Sequence, residues 1–140
     1  KRFQSGSFAP TKTVWSRDNR TAGFRVIGSS AGLRVENRLP GADVNPYLAF
    51  AATVAAGLYG IEKGLSPMGE AMGNIYEQAD AVDVPLTLRE AIIALELSEP
   101  MRMAFGEDVV EHYLHAARWE QSEYDRRITD FELKRNFERS

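Results

Sequence analysis

Phe24-Arg25-Val26-Ile27, Gly28-Ser29-Ser30-Ala31-Gly32 and Leu33-Arg34-Val35-Glu36-Asn37-Arg38-Leu39 follow one another without a break. Two runs with alternating apolar residues around a small, glycine-bounded segment predict a β-hairpin with a five-residue loop. The hairpin sits in residues 1–40, which read as loops and short strands punctuated by Gly6, Gly23, Gly28 and Gly32.

Downstream the pattern turns helical. Asn45 is a cap and Pro46 a first helical residue, opening a helix to about Lys63. That helix is apolar nearly all round, so it is expected to be buried on most sides, yet its run is too short for a membrane span. Gly64 to Pro85 has little periodicity and reads as an exposed connection. Thr87-Leu88-Arg89-Glu90 is a capping box for a helix that Pro100 is expected to close. A longer helix is expected from Glu107 or Asp108 to about Ile128, with Val110, Tyr113, Leu114, Ala117 and Tyr124 on one face. Thr129-Asp130-Phe131-Glu132 is a second capping box, opening a short helix anchored by Phe131 and Phe137. The fold class is therefore α+β, short antiparallel strands followed by a helical region, with no internal repeat.

The 140 residues carry a formal charge of −3, unevenly spread. Residues 1–40 hold eight Lys/Arg against two Asp/Glu, a net +6; residues 41–140 hold nine against eighteen, a net −9. With no cysteine there are no disulfides or thiolate metal sites, which fits a cytoplasmic setting. The chain starts at Lys1 with no apolar leader, consistent with a piece of a longer protein.

Alternation along a strand puts Arg34, Glu36 and Arg38 on one face, charges about 7 Å apart by strand rise. That spacing suggests separate ligand groups rather than tight mutual pairing. Guanidinium forks grip carboxylate or phosphate, and a carboxylate held ionised between them suits Mg2+ or Mn2+. A solvated strand face whose charges pair across the hairpin accounts for the same pattern equally well.

Further motifs separate the two readings. Asn19-Arg20-Thr21-Ala22-Gly23-Phe24-Arg25-Val26, then Leu33 to Pro40, then Asn45-Pro46-Tyr47-Leu48-Ala49-Phe50 resembles the C-terminal signature of the glutamine synthetase family. The resemblance runs through residues 1–140 but covers only the last third of such an enzyme, with active-site loops and strands in 1–40 and helices in 41–140. It implies ATP-dependent phosphorylation of the glutamate γ-carboxylate, followed by attack of an amine, with two metal ions. It also implies subunits in a large ring with active sites between them. By position, Arg2 resembles the arginine on the glutamate carboxylate, and Arg38 the one orienting the γ-carboxylate and acyl phosphate. Arg20 resembles the arginine touching glutamate and the transferring phosphate, Arg25 and Arg34 resemble nucleotide ligands, and Glu36 resembles an ATP-side metal ligand.

One departure concerns the amine. Arg2-Phe3-Gln4-Ser5-Gly6-Ser7-Phe8-Ala9-Pro10 places Phe8 where ammonia-using members carry a flap glutamate. An aromatic ring accepts no proton but packs a carbon stem or an organic cation. The expected acceptor is therefore an organic amine, as in the γ-glutamyl-amine ligases, with ammonia as the alternative. A second departure is a shorter hairpin loop with Ala31 in place of a nucleotide-side lysine. The other metal ligands and the adenine pocket of the family are not in these residues, so the piece alone is expected to be silent.

Other readings come from different classes. The basic hairpin could grip nucleic acid, against which the sparse lysines argue, or the chain could serve assembly alone. His112 and His115, beside Glu111, have a spacing open to a transition metal but lack further ligands. Trp15 and Trp119 read as packing residues, and Arg126-Arg127 with Lys134-Arg135 as helix-end charges.

Overall fold

The computed structural model describes residues 3–7 and 9–137. The predicted hairpin is present as β2 (Phe24–Ile27) and β3 (Arg34–Asn37), antiparallel, with Arg25 opposite Glu36 and Val26 opposite Val35. Its connection contains a single 3-10 turn at Ser30–Gly32. Gly28 takes φ +82°, and a Cβ there would lie 2.4 Å from the Gly32 carbonyl oxygen, so only glycine fits the turn. A third strand, β1 (Trp15–Arg17), pairs with β2 in parallel, which hairpin logic alone does not anticipate.

The segment 64–85 departs from the exposed connection expected of it. It is irregular apart from a 3-10 turn at Ile75–Glu77, but it straps the sheet. The Ala71 amide bonds the Trp15 carbonyl at 3.1 Å, the Thr13 amide bonds Val82 at 2.9 Å, and the Val84 amide bonds Thr11 at 3.0 Å. The Trp15 indole donates to the Met68 carbonyl, and Glu70 accepts from the Arg17 amide. The strap thus occupies the second edge of β1, a position that would otherwise expose unpaired backbone groups. Ile75 and Ala22 are fully buried and Val14 almost so, forming one small core, and Val84 of the strap is buried too. Hydropathy periodicity missed this packing because no apolar stripe carries it.

Helix α1 (Pro46–Glu62) begins as expected, with the Asn45 side chain accepting from the Tyr47 and Leu48 amides. The Thr87/Glu90 capping box opens α2 (Leu88–Glu96). Pro100 does not close α2. It is the second residue of α3 (Glu99–Phe105), where a proline loses no helical hydrogen bond, and Ser98 caps that helix. Helix α4 (Glu107–Asp125) ends three residues before the expected Ile128. It buries Val110 and Leu114 against α2 and α3, whereas Tyr113 and Tyr124 of the expected apolar face stay exposed. Arg102 ties α3 to α4 through ion pairs with Glu107 and Glu111. The second capping box is formed, Thr129 exchanging hydrogen bonds with Glu132 at the start of α5 (Asp130–Phe137). Phe131 and Phe137, expected to anchor it, are both largely exposed.

The expectation for α1 also fails here. None of its residues is buried, and Tyr47, Phe50, Val54, Leu58 and Ile61, spaced three or four apart, form an exposed apolar stripe. The helix packs against α3, with Val54 and Leu58 at the edge of a groove shared with Pro100 and Met103. The accessible surface is 10485 Å², against about 7,200 Å² for a compact monomer of this mass by the usual scaling. The apolar character of α1 is real, but the surface that would cover it is not within these residues. No described helix is long and apolar enough to cross a membrane.

Candidate active site

Pairing in the hairpin puts Arg25 of β2 and Glu36 of β3 on the same sheet face. Arg25 Nη1 lies 3.2 Å from Glu36 Oε2, and Arg38 Nη1, just past β3, lies 3.7 Å from the same oxygen. The other side of the Arg25 guanidinium pairs with Asp18, which follows β1 in a left-handed conformation at φ +45°. Both arginine side chains are about 15% exposed, while Glu36 is 43% and Asp18 76% exposed. The hydrogen bond from Arg25, then its charge, holds the Asp18 carboxyl below its ordinary range. In return Asp18 first, and Glu36 after it, raises the Arg25 guanidinium. Arg25 Nε is buried and makes no hydrogen bond among the described residues.

The expectation that these charges stand too far apart to pair is corrected by this geometry. It counted backbone rise along one strand and neglected both the cross-strand neighbour and the reach of arginine. Glu36 is bracketed by two guanidiniums, both through Oε2.

Arg34 shares the strand face by alternation, but its guanidinium turns back to the Gly32 carbonyl at 3.4 Å and is exposed. Arg20, also exposed, lies close enough to Asp18 to help lower its pKa. The structure therefore brings together Arg25, Glu36 and Arg38, adds Asp18, and leaves Arg20 and Arg34 at the margin. Four arginines against two carboxylates make the cluster net +2, an electrostatic setting for a polyanion. Arg2 and Phe8 lie outside the described residues. Asp18 went unnoticed in the sequence; the signal was an Asp-Asn pair after a strand, which readily takes left-handed turns.

Among the described residues no group of three or more His, Cys, Asp and Glu could hold a metal ion. Glu111, beside His112 and His115, is taken up by Arg102 and Arg118. Glu36 alone fits the manner in which Mg2+ is held by one or two carboxylates plus phosphate oxygens and water.

A profile described as the glutamine synthetase catalytic domain matches residues 1–136. The chain belongs to the glutamine synthetase family. Within it, the chain is 55% identical over 139 residues to a gamma-glutamylethanolamide synthetase of Streptomyces coelicolor, covering 99% of this chain and 30% of that protein. It is 41% identical to a glutamate–isopropylamine ligase of a Pseudomonas species, covering 96% and 30%. To the glutamine synthetase of Thermus thermophilus the identity is 38%, covering 96% and 32%. A solved structure of GmaS with ADP superposes with a TM-score of 0.82 at 31% identity, over 96% of this chain and 31% of that one. The chain thus spans about a third of the length of the glutamine synthetase relatives it matches.

Proposed function

We propose that the whole protein is an ATP-dependent ligase that joins the γ-carboxylate of glutamate to an organic amine. The observation that carries this reading is the Arg25–Glu36–Arg38 cluster within a chain of this family. Those groups serve a reaction in which negative charge must be gathered and then moved. A γ-carboxylate oxygen attacks the terminal phosphorus of ATP, the bond to the bridging oxygen breaks, and ADP leaves. The amine then attacks the γ-carbonyl carbon, loses a proton, and expels phosphate carrying one former carboxylate oxygen.

In this reading Arg38 and Arg20 orient the γ-carboxylate and the transferring phosphate, and Arg2 holds glutamate. Arg25 and Arg34 take nucleotide oxygens, Arg34 and Arg20 being the exposed forks. Arginine suits these roles because its planar donors stay charged and bind two oxygens at once. Positioning and charge neutralisation supply most of the acceleration in phosphoryl transfer. Glu36, through the oxygen facing away from the guanidiniums, would hold Mg2+ or Mn2+. Such an ion offsets charge on the phosphates and fixes their orientation.

Phe8 supports an organic amine, since it lacks the basic oxygen of the flap glutamate. The higher identity to the ethanolamide and isopropylamide enzymes than to the Thermus glutamine synthetase points the same way. The uncovered α1 stripe and excess surface support further protein packing on this chain, as subunits of a large ring would require. The lack of cysteine fits a cytoplasmic enzyme.

The test is ADP release by the full-length protein with glutamate plus ammonium, ethanolamine, methylamine or putrescine. A higher kcat/KM for one of the organic amines is expected; preference for ammonium overturns the organic-amine reading and leaves an ordinary glutamine synthetase.

A further inference from the structure

Arg20 sits between two residues whose side chains are locked to the strap. The Asn19 side-chain amide donates to the Gly73 carbonyl at 2.8 Å. Its Oδ1 accepts from both the Thr21 amide, at 3.0 Å, and the Thr21 hydroxyl, at 2.7 Å. The Thr21 Oγ1 in turn accepts from the Ile75 amide at 3.2 Å. The chain of bonds is closed: strap carbonyl, Asn19, Thr21, strap amide. It is seated on the core, since Ile75 and Ala22, next to the bonded groups, are fully buried. Gly73 takes φ +74° at the point where the strap turns its carbonyl to Asn19.

Arg20 itself, by contrast, is exposed. A long arginine on an ordinary surface turn would sample many rotamers and lose most of its value as a fixed fork. Here the backbone on either side of it is held from a segment more than fifty residues away.

We infer that Asn19 and Thr21 are positioning residues that act through Arg20, and that the 73–75 strap fixes the direction in which Arg20 meets the reacting phosphate. The inference rests on the role assigned to Arg20 above. Neither side chain needs to touch a substrate. Their hydroxyl and amide set where the Arg20 backbone starts, and the strap converts a surface turn into a fixed mount.

The experiment is a double-mutant cycle in the full-length protein, with Thr21→Val, Thr21→Ser and Asn19→Ala each made alone and combined with Arg20→Ala. Rates are followed as ADP release with ethanolamine, alongside the thermal midpoint. Thr21→Val removes the hydroxyl at nearly constant volume, and a misplacement of this kind costs roughly ten- to hundredfold in kcat/KM for glutamate. Thr21→Ser keeps the oxygen and is expected to stay within about threefold of the parent. In the Arg20→Ala background Thr21→Val and Asn19→Ala should add little, because the group they position is gone. Asn19→Ala reads the same bonds from the other side if Thr21→Val folds poorly. Equal losses with and without Arg20 would overturn the inference, showing a general structural role. An Arg20→Ala enzyme of parental activity would bring down the role of Arg20 itself, and the inference with it.

Discussion

Arg25 and Glu36 face each other in register across the hairpin, with Nη1 3.2 Å from Oε2, and Arg38 approaches the same oxygen from beyond the end of the strand. One carboxylate therefore holds two guanidiniums in fixed places. Replacing Glu36 by Gln keeps the shape and removes the charge. The Glu36→Gln enzyme is expected to need at least tenfold more Mg2+ or Mn2+ for half-maximal ADP release, with lowered kcat. An unchanged metal requirement at reduced kcat would assign Glu36 to holding the arginines only.

Asp18 carries a pH signature. Its carboxyl is held below the ordinary 3.8, chiefly by the hydrogen bond from Arg25 and then by that residue's charge. A depressed folded-state pKa means the stabilisation is complete above about 3.8 and is lost as pH falls below it, through the lowered value. Carboxyl titration by NMR should give a midpoint for Asp18 below 3.8, and Arg25→Gln should return it toward that value. The Asp18 carboxyl is largely exposed to water, so the effect on unfolding is small.

In the proposed reading, Phe8→Glu supplies the flap carboxylate that the resemblance assigns to ammonia-using members at this position. The ratio of kcat/KM for ammonium to that for ethanolamine should rise by roughly tenfold or more, the usual reach of one general base being larger still. A ratio that does not move would place amine choice outside the flap.

Gly28 is held at φ +82° with no room for a Cβ beside Gly32. Gly28→Ala should cost about 1–3 kcal/mol, seen as a drop in the thermal midpoint. It should also weaken nucleotide binding, because the turn sets the separation of Arg25 from Arg34. A stable variant with parental ATP affinity would show the hairpin turn to be tolerant.

Much of this was legible in the sequence because it is local. The hairpin, the Asn45 cap and both capping boxes are written in residues within a few positions of each other, and each formed. Pro100 was misread because a proline both stops one helix and starts the next, and Ser98 before it decides between them. The strap was hidden because Ile75 stands in a stretch without apolar periodicity, and its value depends on the distant Val14 and Ala22. The apolar run of α1 was expected to be buried on most sides, and within the described residues it is not, because composition shows that a helix is apolar and not which surface covers it. At the candidate site, alternation gave the face shared by Arg34, Glu36 and Arg38. The partnership of Glu36 with Arg25, and of Arg25 with Asp18, depends on strand register and a left-handed turn, which spacing along one strand cannot express.

The most direct test of the account uses glutamate labelled with oxygen-18 in the γ-carboxylate, turned over by the full-length protein with ATP and ethanolamine. Passage through an acyl phosphate transfers one labelled oxygen to inorganic phosphate for each amide formed. That result is predicted, with the transfer rate falling in step with amide formation in Arg38→Ala; unlabelled phosphate released alongside the amide would contradict the account.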